Sequence, residues 1–378
     1  MSFEGSMGAD PSTGAMGTDN TAITSLPTKK TFKLFFSRFK LHKKRKHKKI
    51  EESTKILHNI THLEDVSLES PKNFKSIVLG LISHSNPVVI KYDGSPSLIF
   101  GKDSTGFFIG LKNVDVSKKY IRQESDIKKH YSDKPENLTK KLMYAFNTLA
   151  KLDIADNTAY QCDILFIKSD VVSHKKNQIS FTPNVVTYNV TKENTDYNKI
   201  KNSLIGIVVH TDYNITDTGF NIISAPNHFH ELTSQNVNGL YIHSAEILDD
   251  VKFDINSIKN KLNQLKLDAS INNDDNYILA INYMIKNDID ISKDFDKGLS
   301  QFNKSRKMNL EFPTEVKSNY LISLDIKNDL LERLHHFKTI LEPSTQHEGF
   351  VVFTDHGLIK LVDRYEFSSK NFKKNMDK

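Results

Sequence analysis

Apolar residues crowd the chain from Val88 to Phe100, broken by Lys91, Asp93 and a Gly-Ser-Pro-Ser group, and the spacing predicts a strand. KDSTG then supplies a five-residue loop with glycine at its end, and FFIGLK predicts the return strand of a hairpin. Leu138, Leu142, Phe146 and Leu149 recur at steps of four and three, which predicts a helix from Asn137 to Ile154. YQCDILFI (160–167) and SLIGIVVH (203–210) predict two further strands. From Ser257 to Glu332 the pattern changes. INSIKNKLNQLKL, YILAINYMI and LISLDIKNDLLERLHHF carry helical spacing, with polar links such as INNDDNY between them. GFVVFTDHGLIKLVD returns to strands, with DHG at the turn. The expected class is α+β: a curved antiparallel sheet core with flanking helices. The expected organisation is an arm at 1–50, a first part of the core at 51–256, a helical insertion or subdomain at 257–335 and closing strands at 336–378.

The arm has a different texture. Residues 1–28 are rich in Gly, Ser, Thr and Met without periodicity and read as disordered. Phe32, Phe35, Phe36 and Phe39 stand at helical spacing before the basic run His42 to Lys49. That pattern suits a solvated tail, a nucleic-acid arm, a nuclear-localisation signal or a membrane-surface or partner-docking helix. The 378 residues are 38% hydrophobic with a net charge of +6, a mild basic bias compatible with a polyanionic partner. The single cysteine, Cys162, excludes an intrachain disulfide and a Cys-x-x-Cys zinc site, and fits a reducing compartment. The apolar runs are too short for a membrane span, and MSFEGSMGADPSTG lacks the basic-then-apolar order of a signal peptide. A cytoplasmic, non-membrane protein is expected.

Candidate chemistry centres on Lys91. Period two puts Val89, Lys91 and Asp93 on one strand face, with Val88, Ile90 and Tyr92 on the other. A lysine on an inner strand face is either paired or reactive, because its ammonium is unreactive until it loses a proton. A nearby aspartate can orient a ribose or a metal-bound water, and Gly94 lets the backbone turn close to a ligand. YDG and DGS are also ordinary turn signals. Asp163, in an apolar strand, is either chemistry or a buried structural carboxylate paired with a lysine. Cys162 beside it points to the opposite face, as core filling. His335, His336 and His347 lie close in sequence but lack regular ligand spacing, and solvated histidines are expected.

The order of these segments resembles the covalent nucleotidyltransferase superfamily, which contains ATP-dependent DNA ligases, RNA ligases and mRNA capping enzymes. KYDG at Lys91 to Gly94 resembles the nucleotidyl-lysine motif, YQCDILF the third motif with Asp163 in the acidic place, and HEGFVVF the fourth motif with Glu348. GLIKLVDR resembles the fifth motif, where Lys360 matches the lysine that contacts the α-phosphate. GIVVHTDY resembles the segment that sets a ring against the base, with His210 and Tyr213 both candidates. Many ligases carry a second lysine where Val362 stands, so the phosphate contacts of the later steps depart from the family pattern. The resemblance covers roughly Val88 to Phe372, and its form is similar to a ligase-like branch encoded by tailed bacteriophages.

Membership would imply the nucleotidyltransferase, ligase adenylation-domain-like fold, with ATP and Mg²⁺ as cofactors. Lys91 would attack the α-phosphate and carry AMP. Asp93 and Lys360 would assist, Gly94, Lys112, His210 and Tyr213 would contact nucleotide, and Asp163 and Glu348 would hold metal. The partner would be nucleic acid, RNA or nicked DNA, sealed at a 5′-phosphorylated end. The sequence closes just past the fifth motif at Lys378, which implies no C-terminal OB domain and no sixth motif; capping is then unexpected and RNA slightly favoured. The alternatives are a degenerate nucleotide- or nucleic-acid-binding phage accessory or structural protein, and an adenylyltransferase acting on another acceptor.

Overall fold

A computed structural model describes residues 60–174, 177–217, 219–222, 230–248, 251–271, 275–337 and 339–367. The amphipathic basic arm lies outside the described residues. Three sheets carry the mixed α+β architecture. The first has the order β1 (Thr61–His62), β14 (Gly357–Val362), β13 (Gly349–Thr354), β2 (Val88–Lys91). Its β1 runs parallel to β14, while β13 is antiparallel to both neighbours. The second has the order β10 (Gly219–Ile222), β9 (Ile205–Thr216), β5 (Thr158–Ile167), β3 (Ser97–Asp103), β4 (Gly106–Leu111), with β11 (Leu240–Ser244) parallel to β9. The third is β12 (Glu342–Pro343), β8 (Tyr188–Thr191), β7 (Gln178–Phe181), β6 (Val172–His174).

The expected hairpin forms from β3 and β4, with a tighter turn than the sequence suggested, since Asp103 already pairs with Gly106. Gly106 takes φ +112°, and Asp103 caps the turn by accepting from the Thr105 amide and hydroxyl. The run Val88 to Phe100 is not one strand. It breaks after Lys91 and resumes at Ser97 in a different sheet. Gly94 sits at the break, where the chain crosses so close to β5 that a Cβ on it would lie 2.5 Å from the Asp163 Cβ. Period two therefore ends at Lys91, and Asp93 does not share its face.

The helix expected from Asn137 to Ile154 spans Glu136–Leu149 and buries Leu142, Ala145 and Leu149 against the second sheet. The stretch of helical texture forms helices Ile255–Leu262, Asp275–Lys286, Ile291–Arg306 and Thr314–His335. The last three build a small core of their own around Ile281, Met284, Phe295, Phe302 and Tyr320. The long helix then docks back: Ile326, Leu330, Leu331 and Leu334 join the main core with Phe350, Val352 and Leu361 of the first sheet. Among the described residues, no helix is long and apolar enough to cross a membrane.

Candidate active site

Between the first two sheets lies a cavity of about 360 Å³, within the size range of small-molecule sites. Of the nine residues singled out from sequence, seven line it: Lys91, Gly94, Lys112, Asp163, His210, Glu348 and Lys360. They come from β2, the break after it, the end of β4, β5, β9, the entry to β13, and β14. Register explains the closest contact. Gly349 stands opposite Lys91 on one side and Val362 on the other, so Glu348 enters beside the Lys91 side chain. Gly349 has φ +156°, and a Cβ there would lie 2.2 Å from the Leu361 carbonyl oxygen. Only a glycine lets three strands approach like this while a carboxylate is delivered next to the lysine.

Lys91 Nζ donates to Glu348 Oε2 in a short ion pair. Burial pulls the Lys91 pKa down, but Glu348, Asp163 and Asp93 outweigh it, and the ammonium is held above its ordinary value. Burial lifts the Glu348 carboxyl above its usual range in spite of Lys91, with Asp93 and Asp163 adding repulsion. Asp163 shows the opposite balance: burial raises it, but His210, then Lys91 and Ser97, bring it below the usual carboxylate range. The His210 Nε2 lies 3.6 Å from Asp163 Oδ1.

The other two lysines have no such partner. Among the described residues, no hydrogen bond or ion pair satisfies the ammonium of Lys112 or Lys360. Burial first, then Lys91 and Lys112, push Lys360 from 10.5 down to about 8. Burial, with Lys91 adding to it, also lowers Lys112 in spite of Asp163. Lysines held at this cost in one cavity suit a multiply charged anion, which would supply the missing counter-charge.

Two expected site residues lie elsewhere. Asp93 does not line the cavity. It is buried, and its carboxylate accepts from Asn184 Nδ2 at 2.9 Å and from the amides of Val185 and Val186 at 2.5 and 2.7 Å. It fastens the turn after Lys91 to the 184–186 loop and has no oxygen aimed at the site. Tyr213 is also buried, and its hydroxyl donates to Gln161 Oε1 at 2.8 Å. The choice between His210 and Tyr213 as the cavity-facing ring is made by a bulge. The β5–β9 register passes from Gln161↔Thr211 to Cys162↔Val209, leaving His210 as the extra residue. The bulge turns His210 and Thr211 to the same side, where both line the cavity. Cys162 is fully buried in the core, as its strand position implied. His347 is not solvated as expected: it is buried edge-on to Tyr92, and burial lowers it to about 4.

The cavity also contains residues that sequence reasoning passed over. Gln161 stands two before Asp163 on the same strand, so period two could have found it. Ser97 pairs directly opposite Asp163. His62 arrives on β1, in register with Lys360 and upstream of every motif, and no local signal marks it.

A Mg²⁺ ion fits this donor set in one manner only. Among the described residues, no group of three His, Cys, Asp or Glu side chains could hold a metal. Mg²⁺ commonly binds through one or two carboxylates together with substrate phosphates and water. Asp163 and Glu348 are the carboxylates of the cavity that would hold such an ion.

The family described as "Family of unknown function (DUF6267)" matches residues 55–320 and 314–376, and the chain belongs to it. No curated protein and no solved structure matches the chain.

Proposed function

We propose that the chain is an ATP-dependent, polynucleotide ligase-like nucleotidyltransferase that forms a lysyl-AMP adduct at Lys91, with nucleic-acid ends as its substrate. One observation carries the reading. Lys91, Asp163, Glu348 and Lys360 are far apart in sequence, yet all line a single cavity. They stand in the order along the chain that the nucleotidyltransferase resemblance requires.

The step is nucleophilic substitution at phosphorus. The Lys91 nitrogen forms a bond to the α-phosphorus, the bond from that phosphorus to the bridging oxygen breaks, and pyrophosphate leaves. The ammonium gives up a proton before attack, and Glu348 Oε2 is the atom in contact with it. Lys360 and Lys112 supply positive charge as the phosphate oxygens gain negative charge. A Mg²⁺ ion at Asp163 would neutralise phosphate charge and help the leaving group.

Incubation with α-labelled ATP and Mg²⁺ tests this. Label should remain with the denatured protein and be absent from Lys91→Ala. No label across a range of nucleotides and divalent metals overturns the enzyme reading and leaves a nucleotide- or nucleic-acid-binding protein. An adduct without joining of nicked RNA or DNA assigns the AMP to another acceptor.

A further inference from the structure

Tyr213 lies outside the cavity, yet a line of hydrogen bonds leads from it to a carboxylate inside. Its ring is fixed by packing against Ile99, Phe108 and Phe220. Its hydroxyl donates to Gln161 Oε1 at 2.8 Å, and Gln161 Nε2 donates to Ser97 Oγ at 3.2 Å. The line crosses three neighbouring strands, from β9 through β5 to β3. Ser97 stands opposite Asp163 in the β3–β5 register, and directly opposed residues bring their side chains together on one face. Gln161, two residues before Asp163 on β5, shares that face. Ser97, Gln161 and Asp163 all line the cavity. The direction of the line follows from its last member. Burial raises Asp163, but His210, then Lys91 and a hydrogen bond from Ser97, hold it below its usual range. An ionised carboxylate can only accept, and a serine hydroxyl has one proton to give. Given to Asp163, that proton leaves Ser97 Oγ to accept from Gln161 Nε2, which turns Gln161 Oε1 toward the Tyr213 hydroxyl. The donors and acceptors stand in this order.

We infer that Tyr213, Gln161 and Ser97 are positioning residues, whose hydrogen-bonded line sets the orientation in which Asp163 meets the divalent cation of a metal–polyphosphate ligand. The cation rests on the nucleotidyltransferase reading. The line itself rests on the observed hydrogen bonds and the strand register. A carboxylate turns about its side-chain bonds unless something holds it, and hydrogen bonds behind a metal ligand are what commonly do so. An apolar side chain at position 161 would fill the same wall without a buried amide to satisfy. The line also gives Tyr213 a part in the site that its place outside the cavity does not suggest.

Manganese(II) pyrophosphate is the probe, with binding to the full chain followed by electron paramagnetic resonance of the Mn²⁺. Asp163→Asn should lose most of the affinity. Ser97→Ala should weaken binding about tenfold. Tyr213→Phe removes one oxygen outside the cavity and should weaken binding about three- to tenfold. Without that donor, the Gln161 amide turns over and takes the Ser97 proton for itself. In the double variant Ser97→Ala, Tyr213→Phe the loss should be no greater than in Ser97→Ala, because the line is already cut. Losses that multiply in the double variant mean independent packing effects and overturn the inference. So do wild-type affinity in Tyr213→Phe or in Asp163→Asn, and no binding by wild type up to millimolar probe. The two readings separate cleanly. Weaker probe binding in Tyr213→Phe, with no labelling of Lys91 in wild type, removes the adduct chemistry and keeps the positioning. Labelling of Lys91 with probe binding unchanged in Tyr213→Phe does the reverse.

Discussion

Lys360 faces a cavity where burial and two other lysines push it down to about 8, and among the described residues no carboxylate pairs with it. Its folded pKa lies below its unfolded value, so the unfolded chain binds more protons between about pH 8 and 10.5. The charged side chain therefore destabilises the fold at neutral pH, and this cost fades as pH rises through that window. Lys360→Met should raise stability at pH 7 by on the order of 1–3 kcal/mol, read as a higher denaturation midpoint, while pyrophosphate affinity falls at least tenfold. A variant that loses stability along with binding would show that Lys360 has a structural partner after all. In wild type, pyrophosphate binding should weaken as pH rises above about 8, where Lys360 must take up a proton to bind the anion. That dependence should be reduced in Lys360→Met, with the remainder carried by Lys112, whose pKa burial also lowers. Gly94 makes a sharper demand at the same scale. A methyl group there meets Asp163 at 2.5 Å, so Gly94→Ala should displace the carboxylate and abolish labelling of Lys91, with a loss of about 1–3 kcal/mol.

At the scale of elements, the site depends on where strands stop. β2 ends at Lys91 because the next residues are claimed by tertiary contacts. The Asp93 amide donates to the Tyr188 hydroxyl, its carboxylate holds the 184–186 loop, and Gly94 lies against β5. Asp93→Ala would leave the Val186 amide buried without its acceptor. It should cost about 1–3 kcal/mol and slow labelling of Lys91, with pyrophosphate affinity near wild type because Asp93 does not face the cavity. A large loss of pyrophosphate affinity in that variant would return Asp93 to the ligand. This element shows what the sequence could and could not convey. Helical spacing placed the helices Glu136–Leu149, Ile255–Leu262, Asp275–Lys286 and Thr314–His335, though not Pro71–Ile82 or Ile291–Arg306, and apolar runs placed β5, β9, β13 and β14, because those patterns follow from local burial. The lysine, the two carboxylates and the closing lysine were legible as short signals in order. The end of β2, the bulge that selects His210 over Tyr213 and the arrival of His62 beside Lys360 were not. Each is decided by a partner more than forty residues away, which no local pattern encodes.

The whole molecule is tied to the cavity through one buried charge cluster. Glu64 accepts from Lys327 Nζ at 3.0 Å and lies 3.3 Å from Arg364, while Arg364 also reaches Asp65 at 2.8 Å and Asn282 at 2.7 Å. Lys327 belongs to the long helix, Asn282 to the helix Asp275–Lys286, and Arg364 follows β14 four residues after Lys360. Lys327 additionally donates to the carbonyl of Val362. The helical segment is thereby pinned to β1 and β14, the two strands that carry His62 and Lys360. Burial would raise the Glu64 carboxyl, but Lys327 and Arg364 overcome it and bring it to about 2. A carboxylate depressed in the folded state contributes stability that is complete above its unfolded value and lost as pH falls toward 2. Glu64→Gln should therefore be less stable than wild type at pH 7 by on the order of 3 kcal/mol, and the two denaturation midpoints should converge as pH is lowered from about 4.5 toward 2. A gap that persists at low pH would mean that Glu64 acts through packing alone. Because the cluster borders His62 and Lys360, Glu64→Gln should also weaken pyrophosphate binding at pH 7, even though Glu64 itself does not line the cavity. Unchanged affinity in a folded Glu64→Gln protein would uncouple the helical segment from the site.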